Sequence, residues 1–271
     1  MTLKAILSDF DGTLVDKDNK YNLEVKELLN FIKSKGIRFS VATGRGFYSG
    51  IHNVLEELQL FDYHICNGGA LIMHNKSRKI LWEQAIPSDS ARKIKDYLIK
   101  TRINFAFESV NYTYVNKKVD FPNYADKKSM RSLTDLNDFS DVLKVLIFGY
   151  LNNLSEGDVE KHKKKLSRLC NDISLIKFKF ADRFGMDITS IKATKHTAVL
   201  EYEKLLEIPR DQIVGMGDGY NDYPLLTACG YKIAMGNAPK ELKEIADFIA
   251  PSVENNGTIV ALQHIIKKFN L

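Results

Sequence analysis

The chain has 271 residues, 44% hydrophobic and 27% charged, with a net charge of +5, which is ordinary for a soluble globular protein built as one large domain or as a core carrying an insertion. No apolar stretch is long enough to span a bilayer. The three cysteines, Cys66, Cys170 and Cys229, are far apart and fit neither a disulfide framework nor a zinc site, so they read as small core residues in a reducing compartment.

The N-terminal run Leu3 to Ser8 reads as a first strand and not as a signal peptide, so a cytoplasmic location is expected. An amphipathic helix follows from Leu23 to Lys35, closed by Gly36, then a strand over Ile37 to Ala42, a helix over Tyr48 to Leu58 and a third strand over Tyr63 to Cys66 that ends at Asn67-Gly68-Gly69. The middle of the chain has a different texture. A helix over Ser88 to Thr101 is followed by strand-like runs at Phe105 to Val115, Val145 to Tyr150 and Ile173 to Phe178, and by a very basic helix around Glu160 to Cys170. Alternation then returns, with a helix at Lys195 to Leu206, a strand at Ile213 to Gly217, a helix at Asp222 to Ala228, a strand at Tyr231 to Ala234, and helices at Pro239 to Ala246 and Thr258 to Phe269. Strands alternating with helices at both ends imply a doubly wound parallel sheet, and the strand-rich middle implies an α+β insertion. Trp82 to Met186 carries a net charge of +5, and the remainder of the chain is neutral.

In an open α/β sheet, ligands bind at the carboxyl ends of the strands. Those positions hold Asp9-Phe10-Asp11-Gly12-Thr13 after the first strand, Thr43-Gly44-Arg45 after the second and Asp218-Gly219-Tyr220-Asn221-Asp222 after the late strand, while Lys195 opens a helix. Several carboxylates in one crevice need a counter-ion, and a hard, oxygen-preferring cation such as Mg2+ fits them better than zinc does. Each Asp taken alone is a common helix or turn cap; the whole set after core strands is not.

Together, Asp9-Phe10-Asp11-Gly12-Thr13, Thr43, Lys195 and Gly217-Asp218-Gly219-Tyr220-Asn221-Asp222 resemble the four motifs of the haloacid dehalogenase-like hydrolases. Ala42-Thr43-Gly44-Arg45, Cys66-Asn67-Gly68-Gly69, Ala234-Met235-Gly236-Asn237-Ala238 and the long insertion resemble the Cof-type, type IIB subgroup, which carries a C2 cap. Lys195 is preferred to the nearby Lys192 because Lys195-His196-Thr197-Ala198 resembles the family's Lys-Gly-x-Ala, with His196 in place of the glycine. The resemblance implies a Rossmann-like core over residues 1–81 and 188–271 and a cap over 82–187.

It also implies a Mg2+-dependent phosphatase acting on small phosphomonoesters, such as sugar phosphates or phosphorylated cofactors. Asp9 is the nucleophile that becomes an aspartyl phosphate, and Asp11 is the general acid and base. Asp9, Asp218 and the main-chain carbonyl of Asp11 are the metal ligands, and Asp222 is a supporting or water-mediated partner. Thr43, Gly44, Lys195 and Asn221 bind the transferring phosphoryl group. Two other readings stand beside this one. A phosphomutase would pass the phosphoryl group to a sugar, and a phosphate-responsive regulatory module would not turn over, although it would have no use for Asp11. Nucleic acid is not an expected partner: the run Lys161-His162-Lys163-Lys164-Lys165 lacks interleaved aromatics and reads as a solvated helix face. Tyr112, Tyr114, Phe121 and Tyr124 read as strand packing. Gly217-Asp218-Gly219 lacks the third glycine of a dinucleotide fingerprint, and Asp16 to Glu27 lacks the ligands and glycine of an EF-hand loop.

Overall fold

The computed structural model describes residues 2–48, 51–117, 129–180 and 182–271. Its core is a five-stranded, all-parallel sheet. In chain order the first elements of the chain are β1 (Ala5–Ser8), α1 (Leu23–Ser34), β2 (Arg38–Val41), α2 (Ile51–Glu57), β3 (Tyr63–Cys66), β4 (Leu71–His74) and β5 (Ile80–Glu83). The insertion comprises α3 (Ser88–Lys100), β6 (Phe105–Glu108), β7 (Thr113–Val115), β8 (Met130–Ser132), β9 (Lys144–Ile147), α4 (Gly149–Asn152), α5 (Glu156–Leu169), β10 (Ile173–Phe180) and β11 (Arg183–Ser190). The chain then returns with α6 (Lys195–Leu206), β12 (Ile213–Gly217), α7 (Tyr223–Ala228), β13 (Tyr231–Ala234), α8 (Lys240–Glu244), β14 (Phe248–Ile249) and α9 (Gly257–Lys268).

The core strand order β14-β13-β12-β1-β2 puts β1 between β12 and β2, so the two ends of the chain meet in the middle of the sheet. Both faces are covered. Ile6 joins the apolar cluster of α1 and α9 residues that includes Val25, Leu29, Leu262 and Ile265. Ala5 and Leu7 point the other way, toward Val199 and Tyr202 of α6 and Leu226 of α7. A strand buried on both faces reads as a continuous apolar run, which is why Ala5-Ile6-Leu7 carries no alternation. Helix α1 keeps Val25, Leu29 and Ile32 on one side, starts on Asn22, whose side chain accepts from the Glu24 amide at 3.0 Å, and stops before Gly36 at φ 76°.

The insertion forms a second sheet of order β10-β11-β9-β6-β7-β8. Its strands alternate sides, and Phe105, Phe107, Val145, Ile147, Met186 and Ile188 join Ile94 and Leu98 of α3 and Val159 and Leu166 of α5 in a separate apolar cluster. Consequently Ala106 and Glu108, Lys144 and Leu146, and Asp187 and Thr189 lie on the opposite face. This sheet is the cap.

Several elements differ from the sequence reading. Tyr63–Cys66 touches the parallel sheet only through the Ala42–Ile65 bridge and pairs its length with β4 in an antiparallel β3-β4-β5 sheet that the sequence pattern did not reveal. The Phe105 to Val115 run is two strands about a turn closed by Ser109 N–H donating to Tyr112 O at 2.9 Å. Val145 to Tyr150 stops at Ile147 because a single helical turn begins at Gly149. β11 was missed: Gly185 and the charged residues around it hide a strand whose alternate positions Met186 and Ile188 are wholly buried. Tyr112 and Tyr114 pack edge to face at 6.1 Å, whereas Phe121 and Tyr124 lie outside the described residues. All three cysteines are buried and unpaired. Among the described residues no helix is long and apolar enough to cross a membrane.

Candidate active site

Asp9 leaves the end of β1 with its amide donating to Met216 O at 2.8 Å, so the central strand and β12 together fix where its carboxylate points. It is almost fully buried. Lys195, the first residue of α6, reaches it: Nζ stands 2.5 Å from Asp9 Oδ1 and 2.6 Å from Asp222 Oδ1. The Thr194 hydroxyl caps this helix by accepting from the Thr197 amide at 3.0 Å, which locks the lysine at the helix entrance. Lys192, the rival candidate, is exposed in the preceding turn.

Asp222 is fully buried and uses both oxygens. Oδ1 takes the lysine, and Oδ2 accepts from the amides of Asp218 at 3.0 Å and Gly219 at 2.8 Å. Asp218 is oriented by Thr13, whose hydroxyl donates to Oδ1 at 3.0 Å, and by Asn237, whose amide donates to Oδ2 at 2.7 Å. Gly12, at φ 75°, leaves room for that carboxylate, since a Cβ there would stand 2.3 Å from Asp218 Oδ2. Asp9, Asp218 and Asp222 offer ligand atoms within 4.8 Å of one another.

So much negative charge in a buried site is unstable without a cation. Burial, and then the neighbouring Asp222, hold the Asp9 carboxyl well above the ordinary carboxylate range. The same two causes push Asp218 up to about 7. Burial works against the Lys195 charge, yet Asp222 and Asp9 outweigh it and hold the ammonium above its usual range. One lysine therefore does not neutralise the cluster, and an all-oxygen donor set of this kind suits a hard divalent cation.

Asp11 stands apart from the cluster. Its carboxylate is paired with Arg45 through both oxygens, with Nε donating to Oδ2 at 2.8 Å. Thr43 is buried, and its hydroxyl accepts the Arg45 amide at 3.1 Å. Gly44 and Asn221 line one crevice with Lys195 and with Ile176, Asp187 and Thr189 of the cap sheet. The structure thus brings Asp9 and Asp222 into direct contact with Lys195, sets Asp218 beside them, places Gly44 and Asn221 along the same crevice, and holds Asp11 with Arg45.

Sequence reasoning gave no role to Thr13, Arg45, Asn67, Lys144 or Asp187. Arg45 and Asn67 had a usable signal, because Asn67 directly follows β3 and Arg45 lies in the short loop after β2. Lys144 and Asp187 lie inside strands of the cap, where position along the chain says nothing about proximity to the crevice.

Comparison with known proteins gives the chain a family. A profile of the haloacid dehalogenase-like hydrolases matches residues 6–262. The chain is 26% identical over 292 residues to phosphatase YwpJ of Bacillus subtilis, covering 97% of this chain and 100% of that protein. It is 24% identical over 269 residues to the 5-amino-6-(5-phospho-D-ribitylamino)uracil phosphatase YbjI of Escherichia coli, covering 98% and 97%. Its fold superposes on the HAD subclass IIB sugar phosphatase BT4131 with a TM-score of 0.80 at 21% identity, over 97% of this chain and 98% of that one. The chain belongs to the haloacid dehalogenase-like hydrolases and sits among their phosphatases.

Proposed function

We propose that the protein is a Mg2+-dependent phosphatase that hydrolyses small phosphomonoesters through a phosphorylated Asp9. The observation that carries this reading is the bridge of Lys195 Nζ between Asp9 and Asp222, 2.5 and 2.6 Å away, with Asp218 beside them at the carboxyl edge of a parallel sheet. Lys195 orients one oxygen of Asp9 and offers positive charge where the phosphoryl oxygens gather negative charge. Asp9 attacks phosphorus, the bond from phosphorus to the ester oxygen breaks, and that oxygen takes a proton from Asp11. A water molecule then attacks the aspartyl phosphate and gives its proton back to Asp11, phosphate leaves, and the Asp9 carboxylate is regenerated. Asp11 must part from Arg45 to do this. Thr43, Gly44 and Asn221 hold the phosphoryl oxygens.

Asp9, Asp218 and the main-chain carbonyl of Asp11 would hold Mg2+, with Asp222, whose oxygens are already engaged, supporting the site from behind. A bound Mg2+ would neutralise the carboxylates and polarise the phosphate. We assign the core to residues 1–81 and 188–271 and the cap to 82–187, with the last residues of β11 running on from the cap sheet into the core. Support comes from the separate apolar cluster of the cap and from Gly69, at φ 106°, which lets the chain pass against the start of α6: a Cβ there would meet Thr194 backbone at 2.3 Å. The substrates are sugar phosphates or phosphorylated cofactors, in keeping with the ribitylaminouracil and sugar phosphatases named among the relatives.

Phosphate release from a panel of metabolite esters tests the reading. Activity should vanish with excess chelator and return with Mg2+, and one oxygen from heavy-oxygen water should appear in the released phosphate. Undiminished turnover in chelator contradicts the metal requirement, and transfer to a sugar without solvent oxygen makes the protein a mutase.

A further inference from the structure

Three charged side chains on the crevice-facing side of the cap sheet meet beneath the phosphate-binding loop. Lys144 Nζ donates to Gly44 O at 2.6 Å and stands 3.3 Å from Glu108 Oε2 and 3.5 Å from Asp187 Oδ1. Glu108 Oε2 also accepts from Asn67 Nδ2 at 2.7 Å. Lys144 and Asn67 therefore tie the cap to two core loops, and the side chains of Lys144 and Glu108 are only 3% and 2% exposed.

Asp187 differs from both. Its side chain is 20% exposed, Oδ1 accepts no hydrogen bond, and Oδ2 turns toward Gly44, 3.5 Å from the position a Cβ would take there. Among the described residues, the other groups of the cap sheet along the crevice offer no such acceptor. Ile176 is apolar, and the Thr189 hydroxyl donates to Ala193 O at 2.9 Å while its methyl faces Gly68. Oδ1 is shut away from water against the Lys144 ammonium, which leaves Oδ2 as the oxygen the carboxylate can offer to a ligand in the crevice.

We propose that Asp187 is the residue with which the cap reads its substrate, by accepting a hydrogen bond from a hydroxyl group on the organic part of the phosphate ester. The proposal rests on the phosphatase reading above. An ester whose phosphate lies among Gly44, Lys195 and Asn221 carries its organic part against Ile176 and Asp187, so polyol and sugar phosphates are favoured over alkyl phosphates of equal length. A second anionic group on that part would meet the Asp187 charge and be rejected. Lys144 is a positioning residue that holds the Asp187 carboxylate in register with Gly44 when the cap is seated.

The test compares kcat/KM for D-ribitol 5-phosphate and for 1-pentyl phosphate, which has the same carbon chain without the hydroxyls. The wild-type protein should prefer the ribitol ester by at least about tenfold, and Asp187→Ala should lose about ten- to a hundredfold more on the ribitol ester than on the pentyl ester, chiefly through KM. Asp187→Asn, which keeps an acceptor oxygen and nearly the same shape, should recover part of the preference and carries the comparison if the alanine variant does not fold. Equal losses on both esters, or a wild-type protein that turns over both without preference, overturn the role of Asp187 alone. A wild-type protein that hydrolyses neither ester nor p-nitrophenyl phosphate overturns the phosphatase reading and this proposal with it.

Discussion

The core crevice and the cap wall that faces it are built on different principles. In the core every candidate catalytic group sits at the end of a strand or the start of a helix, so the backbone ladder places it: Asp9 follows β1, Thr43 follows β2, Asp218 follows β12 and Lys195 opens α6. In the cap, Glu108, Lys144 and Asp187 project from a sheet face, and their placement depends on which side of each strand the apolar residues occupy. The core arrangement suits chemistry that every substrate of this kind requires, and the cap arrangement suits recognition, because a substitution on a sheet face leaves the backbone unchanged.

That contrast predicts effects of different size and kind. Asp9→Asn should reduce phosphate release by more than about 10⁴-fold at every substrate concentration, because an amide does not attack phosphorus; retention of a tenth of the activity would remove Asp9 from the mechanism. Asp11→Asn should slow turnover by roughly 10² to 10⁴, and the loss should shrink for esters with good leaving groups such as p-nitrophenyl phosphate; an equal loss on all esters would deny Asp11 its role as acid.

A cap substitution should act differently. Lys144→Met removes the cation that stands between Glu108 and Asp187, so denaturant titration should register a loss of about 3 kcal/mol, the usual result of leaving one partner of a buried ion pair behind. Activity should fall mainly through KM. A catalytic collapse with normal stability would erase the proposed division of labour.

A last predicted effect, seen only on acidification, tests the core as a folded unit. His64 on β3 is wholly buried, with Nδ1 accepting the Val41 amide at 3.0 Å and Nε2 facing Leu60 O at 2.9 Å, and burial lowers it from its ordinary 6.5 to about 4. The unfolded chain takes up a proton below 6.5 that the folded protein refuses. This contribution is therefore complete above pH 6.5 and is lost as the pH falls toward 4, by about 3 kcal/mol in all. In His64→Phe that part of the pH dependence should disappear, although the variant starts out less stable because the Val41 amide loses its acceptor. An unchanged pH slope would show that the folded protein protonates the ring.

Legibility in the sequence followed the same divide. Lys195 to Leu206, Ile213 to Gly217 and Tyr231 to Ala234 were read with the boundaries the structure has, because strong apolar runs and caps delimit them. The core motifs could be read because residues at strand ends are consecutive in the chain. The pairing of Arg45 with Asp11 could not, since nothing local distinguishes a phosphate-facing arginine from one that grips a carboxylate. Nor could Asp187: with β11 unread, the alternation that turns Met186 and Ile188 inward and Asp187 toward the core was invisible. The excess positive charge of the insertion was a poor guide to the crevice. Lys161, Lys164 and Lys165 of α5 are exposed, while the cap wall of the crevice carries a carboxylate.

The central claim is that Asp9 carries the phosphoryl group between substrate and water. Acid-quenching the protein during turnover of p-nitrophenyl phosphate, followed by peptide mapping with mass spectrometry, addresses it most directly. The account predicts a single acid-stable, base-labile phosphoryl group on the peptide containing Asp9, absent from Asp9→Asn; a phosphoryl group on another residue, or one that persists in Asp9→Asn, would contradict it.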